Sequence, residues 1–356
     1  MTRLISFLAH AVYMGTPLLF GTVGEIQNEK AGHLNLGVEG TMAMGACAGF
    51  MVAYKTGSLW LSILAAFLMG ALVSLIYAFL TITMMANQNV TGLTLTIFGT
   101  GLSNFIGEQM ISASPTGNLK LPDGVMSSLK NIDIPLLSKI PVLGDVLFSQ
   151  NIFTYLSIVI AVIMFIYLKK TKVGLNLRTI GENPAVADAV GISVVKYKYI
   201  NVLIGGGICG IGGAFCSMVI NGGVWMANSV NGLGWIAVAL VIFAVWNPAR
   251  AIYGAYIFGA FMVLKYYFPK NLGFTVPESF FDMLPYLVTA LVLIITSVKK
   301  SRERSQPQSC GINYFREESQ DIEAWHFLQI IPKATYLKAL HFAELLFCPS
   351  DKMQKM

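Results

Sequence analysis

The chain has 356 residues, 55% of them hydrophobic and only 12% charged, with a mean hydropathy of +0.65. Soluble domains carry about 25% charged residues, so an ordinary soluble domain is excluded. The net charge of +6 comes without a basic cluster interleaved with aromatics, which excludes a nucleic-acid surface.

Two long stretches, Thr56 to Gly107 and Tyr199 to Ala249, contain no charged residue. A crossing helix needs roughly 20 apolar residues, so each stretch is long enough for two crossings. The fold class expected is all-α, a polytopic transmembrane helical bundle. In chain order about nine spans are expected, at 4–24, 37–54, 58–84, 89–107, 152–168, 200–220, 232–248, 251–267 and 283–298. The first run lacks a small-residue cleavage site and reads as a span rather than a signal peptide.

Positive charges collect in cytoplasmic loops. Lys169, Lys170, Lys172, Arg178, Lys196 and Lys198 crowd one loop, 169–199, while Lys299, Lys300, Arg302 and Arg304 come after the last span. Both segments are therefore expected in the cytoplasm. Counting spans backwards places loop 108–151 and the N-terminus outside. Pro115, Gly117, Pro122, Gly124, Pro135 and Pro141 break any long helix in that outer loop, and its portion PLLSKIPVLGDVLF is apolar enough to lie on the membrane surface.

The first inner connection, EIQNEKAGHLNLGVEG at 25–40, is polar and punctuated by Gly32 and Gly37. Glu39 is the one acidic residue expected inside a span. An intramembrane acid marks function by default, but this one sits near the start of its helix, within reach of the interface. In the loop KKTKVGLNLRTIGENPAVADAVGISVVKYKY, Asn183 suits an N-cap, Pro184 the first helical position and Gly191 the stop. A short helix from Pro184 to Val190 is expected there, with Asp188 exposed. It is too short to stand alone in water and needs a surface, either a partner protein or lipid.

Gly205, Gly206, Gly207, Gly210, Gly212 and Gly213 fall in one span. Gly206-xxx-Gly210 has the spacing that lets helix backbones approach. Gly205-x-Gly207-x-x-Gly210 also matches a dinucleotide fingerprint, but there is no soluble strand before it and no acid about 20 positions on. Helix packing is the better reading.

Enzyme chemistry finds no support. The chain has no GxxxxGK[ST] phosphate loop, no GxSxG elbow and no HExxH. His10, His33, His326 and His341 lack metal spacing, and Cys47, Cys209, Cys216, Cys310 and Cys348 form no CxxC pair. No cofactor or metal is expected. The spans carry almost no charge apart from Glu39, and the neutral polar residues in or beside them include Asn35, Asn104, Asn201, Asn231, Thr91, Thr94, Thr96 and Ser103. Such a lining suits a neutral polar solute with a flat apolar ring, although Ser and Thr in spans also bond back to their own helix. On residues alone, a permease, a stand-alone secondary transporter and a membrane-embedded enzyme stay open.

The loop GLNLRTIGENPAVADAVGISV resembles the ATPase-contacting loop of ABC importer permeases of the branched-chain amino acid and ribose type. GTPLLFGTVGEIQNEKAGHLNLGVEGTMAMGA and GLGWIAVALVIFAVWNPARAIYGAYIFGA resemble the subgroup that imports nucleosides and simple sugars. Together these blocks reach from residue 15 to about 318, where GINYFREE is similar to the usual end of such chains. The resemblance implies a type II importer permease fold in a bacterial cytoplasmic membrane, paired with a second permease, a paralogue or another copy. It further implies two cytoplasmic ATPase subunits, or one fused ATPase, and an external substrate-binding lipoprotein. Gly181, Glu182, Asn183, Pro184, Asp188 and Gly191 would form the coupling helix and its flanks, and Glu39, Asn35, Asn104, Asn201 and Asn231 would line or brace the path. Cargo would be a nucleoside, or alternatively a ribose-like sugar or branched-chain amino acid. The expected domains are a permease domain at 1–300, a C-terminal segment at 301–318, and a tail at 319–356. That tail departs from the pattern. Ala324 to Phe347 has amphipathic spacing interrupted by Pro332, and reads as an interfacial tail or a read-through product.

Overall fold

The computed structural model describes residues 2–114, 117–133, 144–267, 277–298 and 306–314. Lys299 to Arg304, most of the apolar portion of the outer loop, Phe315 to Glu318 and the tail lie outside the described residues. The chain divides into two compact units, Met1–Asn313 and Tyr314–Met356, and the helical bundle is the first of them.

The described residues of the first unit are mostly helical. The elements are α1 (Thr2–Lys30), α2 (Val38–Thr56), α3 (Leu59–Ala78, continued by a π turn at Phe79–Thr83), α4 (Gln88–Ala113), α5 (Asp123–Ser128), α6 (Ile152–Lys170), α7 (Lys172–Glu182), α8 (Pro184–Ala189), α9 (Val194–Phe215, continued by a π turn at Cys216–Ile220), α10 (Leu233–Phe243), α11 (Pro248–Tyr267) and α12 (Glu278–Val298). A two-residue ladder pairs β1 (Ile132–Asp133) with β2 (Ser149–Gln150) in the outer loop. Each expected span is helical over most of its length. Among the described residues, four helices, α1, α3, α6 and α9, are long and apolar enough by themselves to cross a membrane. The bundle is an all-α polytopic membrane protein.

The faces of α4 show why. Gln88, Thr91, Gly92, Leu95, Thr96, Gly99, Ser103 and Gly107 form a buried stripe at helical spacing, small or polar but for Leu95. Val90, Leu93, Ile97, Phe98 and Phe105 face outward, exposed. A soluble helix would show the opposite pattern. Inside the bundle, helices approach through glycine. A Cβ on Gly70, Gly206 or Gly210 would collide with facing backbone or Ser74, so α3 and α9 touch at the Gly206-xxx-Gly210 face. Packing thus accounts for the glycine-rich span.

Packing also fixes direction. Asn28 and Gly24 of α1 lie beside Gly205 of α9, and Gly15 and Ala11 lie beside Ala255 and Gly259 of α11. Helix α1 therefore runs antiparallel to both. Its C-terminal Lys30 meets Gly181 at the end of α7, whereas Phe7 and His10 meet Tyr267. The N-terminal end of α1 thus lies on the face opposite α7 and α8.

Three elements differ from expectation. The span at 232–248 is only an 11-residue helix, α10, because Val245 and Trp246 adopt left-handed φ of 53° and 51° and turn the chain into α11. Asn247 caps that start by accepting from Ala249 N at 3.0 Å. Before α10, residues 221–232 are irregular, with positive φ at Gly222, Gly223, Asn228, Asn231 and Gly232. This strap and α10 together make one pass of the bundle, half irregular and half helical. Within a membrane such backbone persists only where protein or a cavity satisfies it. Finally, α2 does not begin at the bundle's end. Gly40 packs against Gly99 near the middle of α4, so Glu39 sits at mid-height rather than at the interface.

Candidate translocation path and coupling surface

At the centre, Glu39 is 7% exposed. Its Oε1 accepts from Gly232 N at 2.8 Å and its Oε2 from Gly234 N at 2.7 Å. The carboxylate thus caps the half-helix α10, where the unsatisfied N–H groups and the positive helix end favour an anion. Above it, Asn104 of α4 grips the strap through both halves of its amide: Nδ2 donates to Asn228 Oδ1 at 2.8 Å, and Oδ1 accepts from Asn228 N at 2.9 Å. Between these anchors lies a cavity of about 230 Å³, lined by Glu39, Thr100, Ser103, Asn104 and strap residues 228–232. A second cavity of about 430 Å³ opens on the other side of the strap, against Met14, Met262, Lys265 and Tyr266.

Among the five path residues expected from sequence, the structure brings Glu39, Asn104 and Asn231 to the first cavity. Asn35 lies elsewhere, in the inner turn: its N–H donates to Glu25 Oε1 at 2.8 Å and its Oδ1 accepts from Gly37 N at 2.9 Å. Asn201 is also apart, tied to Gln27, to Tyr167 Oη at 3.0 Å and to Tyr197 O at 2.7 Å. The hydroxyls divide as well. Thr94 bonds back to Val90 O, whereas Thr96 reaches Leu36 O and Ser103 reaches Ala43 O, both at 2.9 Å. Sequence reasoning missed Asn228 and Ser229. The signal that could have found them is the turn-rich run NGGVWMANSVNG between two apolar helices.

On the inner face, the loop 169–199 holds two helices where one was expected. Thr171 caps α7 by accepting from Gly174 N at 3.0 Å, and Asn183 caps α8 by accepting from Val186 N at 3.2 Å. Pro184 occupies the first turn of α8. At its end, Gly191 has φ of 81°; its N–H donates to Asp188 O at 2.9 Å and Ile192 N to Ala187 O at 3.0 Å. These are the paired bonds of a Schellman stop. Helix α8 rests on Ala187, which is fully buried, and presents Val186 and Val190, 51% and 69% exposed. Glu182 and Asn183 are exposed beside this ridge. Gly181 is different: it is buried against Lys30 O, where a Cβ would not fit.

Cys310, beside this loop, is kept as a thiol because burial, reinforced by the Glu29 carboxylate, pushes its pKa up. His33, in the inner turn, has both ring nitrogens unpartnered. Burial, followed by the charge of Lys198, holds its pKa well below the usual histidine value. Among the described residues, no group of three or more metal-ligating side chains is present.

The family model of the branched-chain amino acid transport system permease component matches residues 7–295. The chain belongs to this family. It is 33% identical to a nucleoside ABC transporter permease of Lactococcus lactis, over 87% of this chain and 97% of that one. It is also 33% identical to a guanosine ABC transporter permease of Bacillus subtilis, over 82% of this chain and 92% of the relative. A protein of Haloferax volcanii described as a putative glucose ABC transporter permease is 37% identical over 71% of this chain and 75% of its own length. No solved structure matches. The protein is thus a membrane permease subunit of an ABC importer, resident in the cytoplasmic membrane, and ATP hydrolysis belongs to a separate subunit. For a permease, the missing phosphate loop is expected, since the chain need not bind ATP.

Proposed function

We propose that this permease forms half of the path by which an ATP-driven importer takes in nucleosides or related neutral solutes. The observation that carries the reading is the chemistry of the central cavity. Asn104, Asn228, Asn231, Thr100 and Ser103 offer amides and hydroxyls, and no Lys or Arg is among the lining residues. Both oxygens of Glu39 accept from backbone N–H groups at the start of α10, and the other polar lining residues are amides and hydroxyls. The carboxylate of a zwitterionic amino acid would lose its hydration there with no Lys or Arg to receive it, whereas a nucleoside exchanges water for amide partners. The nucleoside and guanosine permeases among the relatives point the same way. The glucose permease relative favours a second reading, a neutral sugar, which the same lining would accept.

In this reading the exposed ridge of α8 is where a cytoplasmic ATPase docks, with Glu182, Asn183, Pro184 and Asp188 as contact and framing residues and Gly181 and Gly191 setting the bends. Burying a valine is worth roughly 1.5–3 kcal/mol, enough for Val186 and Val190 to anchor a partner. ATP binding would move α8 and turn the path outward, to receive solute from an external binding lipoprotein. A second permease, most simply a paralogue, would supply the other half of the path. The test is uptake of labelled guanosine, uridine, ribose, glucose and leucine in cells with and without the gene, with and without an energy poison. Loss of energised nucleoside uptake alone supports the reading, and loss of sugar uptake alone selects the second one. Loss of leucine uptake alone, or uptake that persists without ATP, overturns both. Pro184→Gly and Glu182→Lys should abolish uptake while leaving the protein inserted, and normal uptake in both would remove the ATPase from α8.

A further inference from the structure

The segment 306–314 comes after the last span and belongs to no helix, yet it joins two parts of the inner face that are distant in sequence. At one end, Ser309 N donates to Gly181 O at 3.0 Å. The Ser309 hydroxyl also reaches Gly181 O at 2.6 Å and Ile180 O at 3.1 Å. These are the last residues of α7 before α8. At the other end, Asn313 Nδ2 donates to Met85 O at 2.7 Å and Ala86 O at 3.0 Å, while its Oδ1 accepts from Gln88 Nε2 at 3.0 Å. Gln88 opens α4, and its own Oε1 accepts from Leu34 N at 2.9 Å. Between the anchors the chain is folded tight: Cys310 N bonds to Pro307 O and Ile312 N to Ser309 O, both at 3.0 Å, and Gly311 turns at φ of 82°. Ser309 is 7% and Gln88 2% exposed, whereas Asn313 is half-buried and its bond to Met85 O lies at the surface.

We propose that Ser309, Asn313 and Gln88 form a tie that carries movement of α8 to α4, and that these are positioning residues for transport. The geometry gives the tie a purpose. Helix α8 continues through α9 directly into the strap, one wall of the cavity. The opposite wall, Thr100, Ser103 and Asn104, stands on α4, which has no covalent connection to the coupling loop nearby. Helix α4 rises about 24 Å from Gln88 to Asn104 at 1.5 Å per residue. Gly92 and Gly99 lock it against the backbone of Leu36 and Gly40. Displacing the strap alone would shear the Asn104–Asn228 pair. Displacing both walls together calls for a link from α7 to the foot of α4; Ser309 to Asn313 bonds directly to both, beside the packing route through Lys30 and Leu34. The proposal rests on reading α8 as the ATPase contact.

The test is the ratio of solute moved to ATP hydrolysed, measured in vesicles holding the complete importer with its ATPase, partner permease and binding protein. Asn313→Ala, which removes three hydrogen bonds, and Gln88→Ala, which removes two, should each lower this ratio at least about fivefold. Basal ATP hydrolysis and assembly should be unchanged. A pair of cysteines, Gln88→Cys with Asn313→Cys, should be equally uncoupled until joined by a short thiol-to-thiol cross-linker, and joining them should restore the ratio. A merely structural role predicts loss of assembly and of hydrolysis, with no rescue. An unchanged ratio in both alanine variants, or a joined pair as uncoupled as the separate cysteines, overturns the tie. If the wild-type importer neither hydrolyses ATP nor moves solute, the coupling reading falls and the tie with it. A coupled wild type with coupled variants defeats the tie alone.

Discussion

Helix α8 and the strap are both short and sharply turned at their ends, but they are built on opposite principles. Helix α8 is specified locally. Asn183, Pro184 and Gly191 cap, start and stop it through bonds spanning no more than five residues. The strap and α10 are specified from a distance. Glu39 reaches across 193 and 195 residues of sequence to hold Gly232 and Gly234, and Asn104 reaches across 124 to hold Asn228. A self-contained helix can move as a body and keep its shape, which suits a docking element. A segment held by outside groups changes shape when those groups move, which suits the wall of a path.

The contrast breaks most sharply at Glu39. Glu39→Leu leaves the buried Gly234 N–H and the part-buried Gly232 N–H without an acceptor, the buried one alone costing about 1–3 kcal/mol. Uptake should fall below detection while α8 still recruits the ATPase, as a co-purification would show. Glu39→Gln keeps one acceptor oxygen and should retain part of the uptake. Next in size is Asn104→Ala, which frees the strap from α4. Uptake is expected to fall about tenfold, equivalent to about 1.4 kcal/mol, with ATP hydrolysis persisting. Asn183 offers the converse case. Because its cap is local, Asn183→Ser should be nearly silent, whereas Asn183→Ala should cost about 1 kcal/mol and weaken ATPase association measurably. The smallest effect concerns His33. The folded protein keeps this ring neutral, while the unfolded chain protonates it below about pH 6.5. The cost of His33 to stability is therefore absent above that pH and grows as the pH falls. Melting curves of His33→Phe should match wild type near neutrality and lie above it at about pH 5.

These two regions also mark what a sequence can and cannot disclose. The spans were legible because lipid demands long apolar runs, and α8 was legible because its capping residues stand beside it. The glycine face of α9 was readable from its spacing, although its partner in α3 was not. The shortness of α10 was hidden. Its sequence is apolar throughout, and the left-handed turn at Val245 and Trp246 is held by tertiary contacts, including Trp246 Nε1 donating to Glu29. Asn104 and Asn231 could be named as polar residues in an apolar setting, but so could Asn201, which proves to be engaged with Gln27 and Tyr167. Composition names polar residues; only the fold shows which of them border the cavity. Gln88 and Asn313 escaped notice for the same reason, since nothing in either local sequence refers to the other.

The most direct measurement is the reactivity of a cysteine in the strap. Ser229 borders both cavities, and Ser229→Cys is nearly isosteric. Cys47, Cys209 and Cys216 are buried and offer little background. Labelling would be followed with a small membrane-impermeant thiol reagent added outside to vesicles holding the whole importer, with and without ATP trapped in its ATPase, and with and without guanosine. Labelling should be faster when ATP is trapped and slower when guanosine is present. A rate that is the same in all four conditions would contradict the central claim, because the strap would then neither line the solute path nor respond to the ATPase.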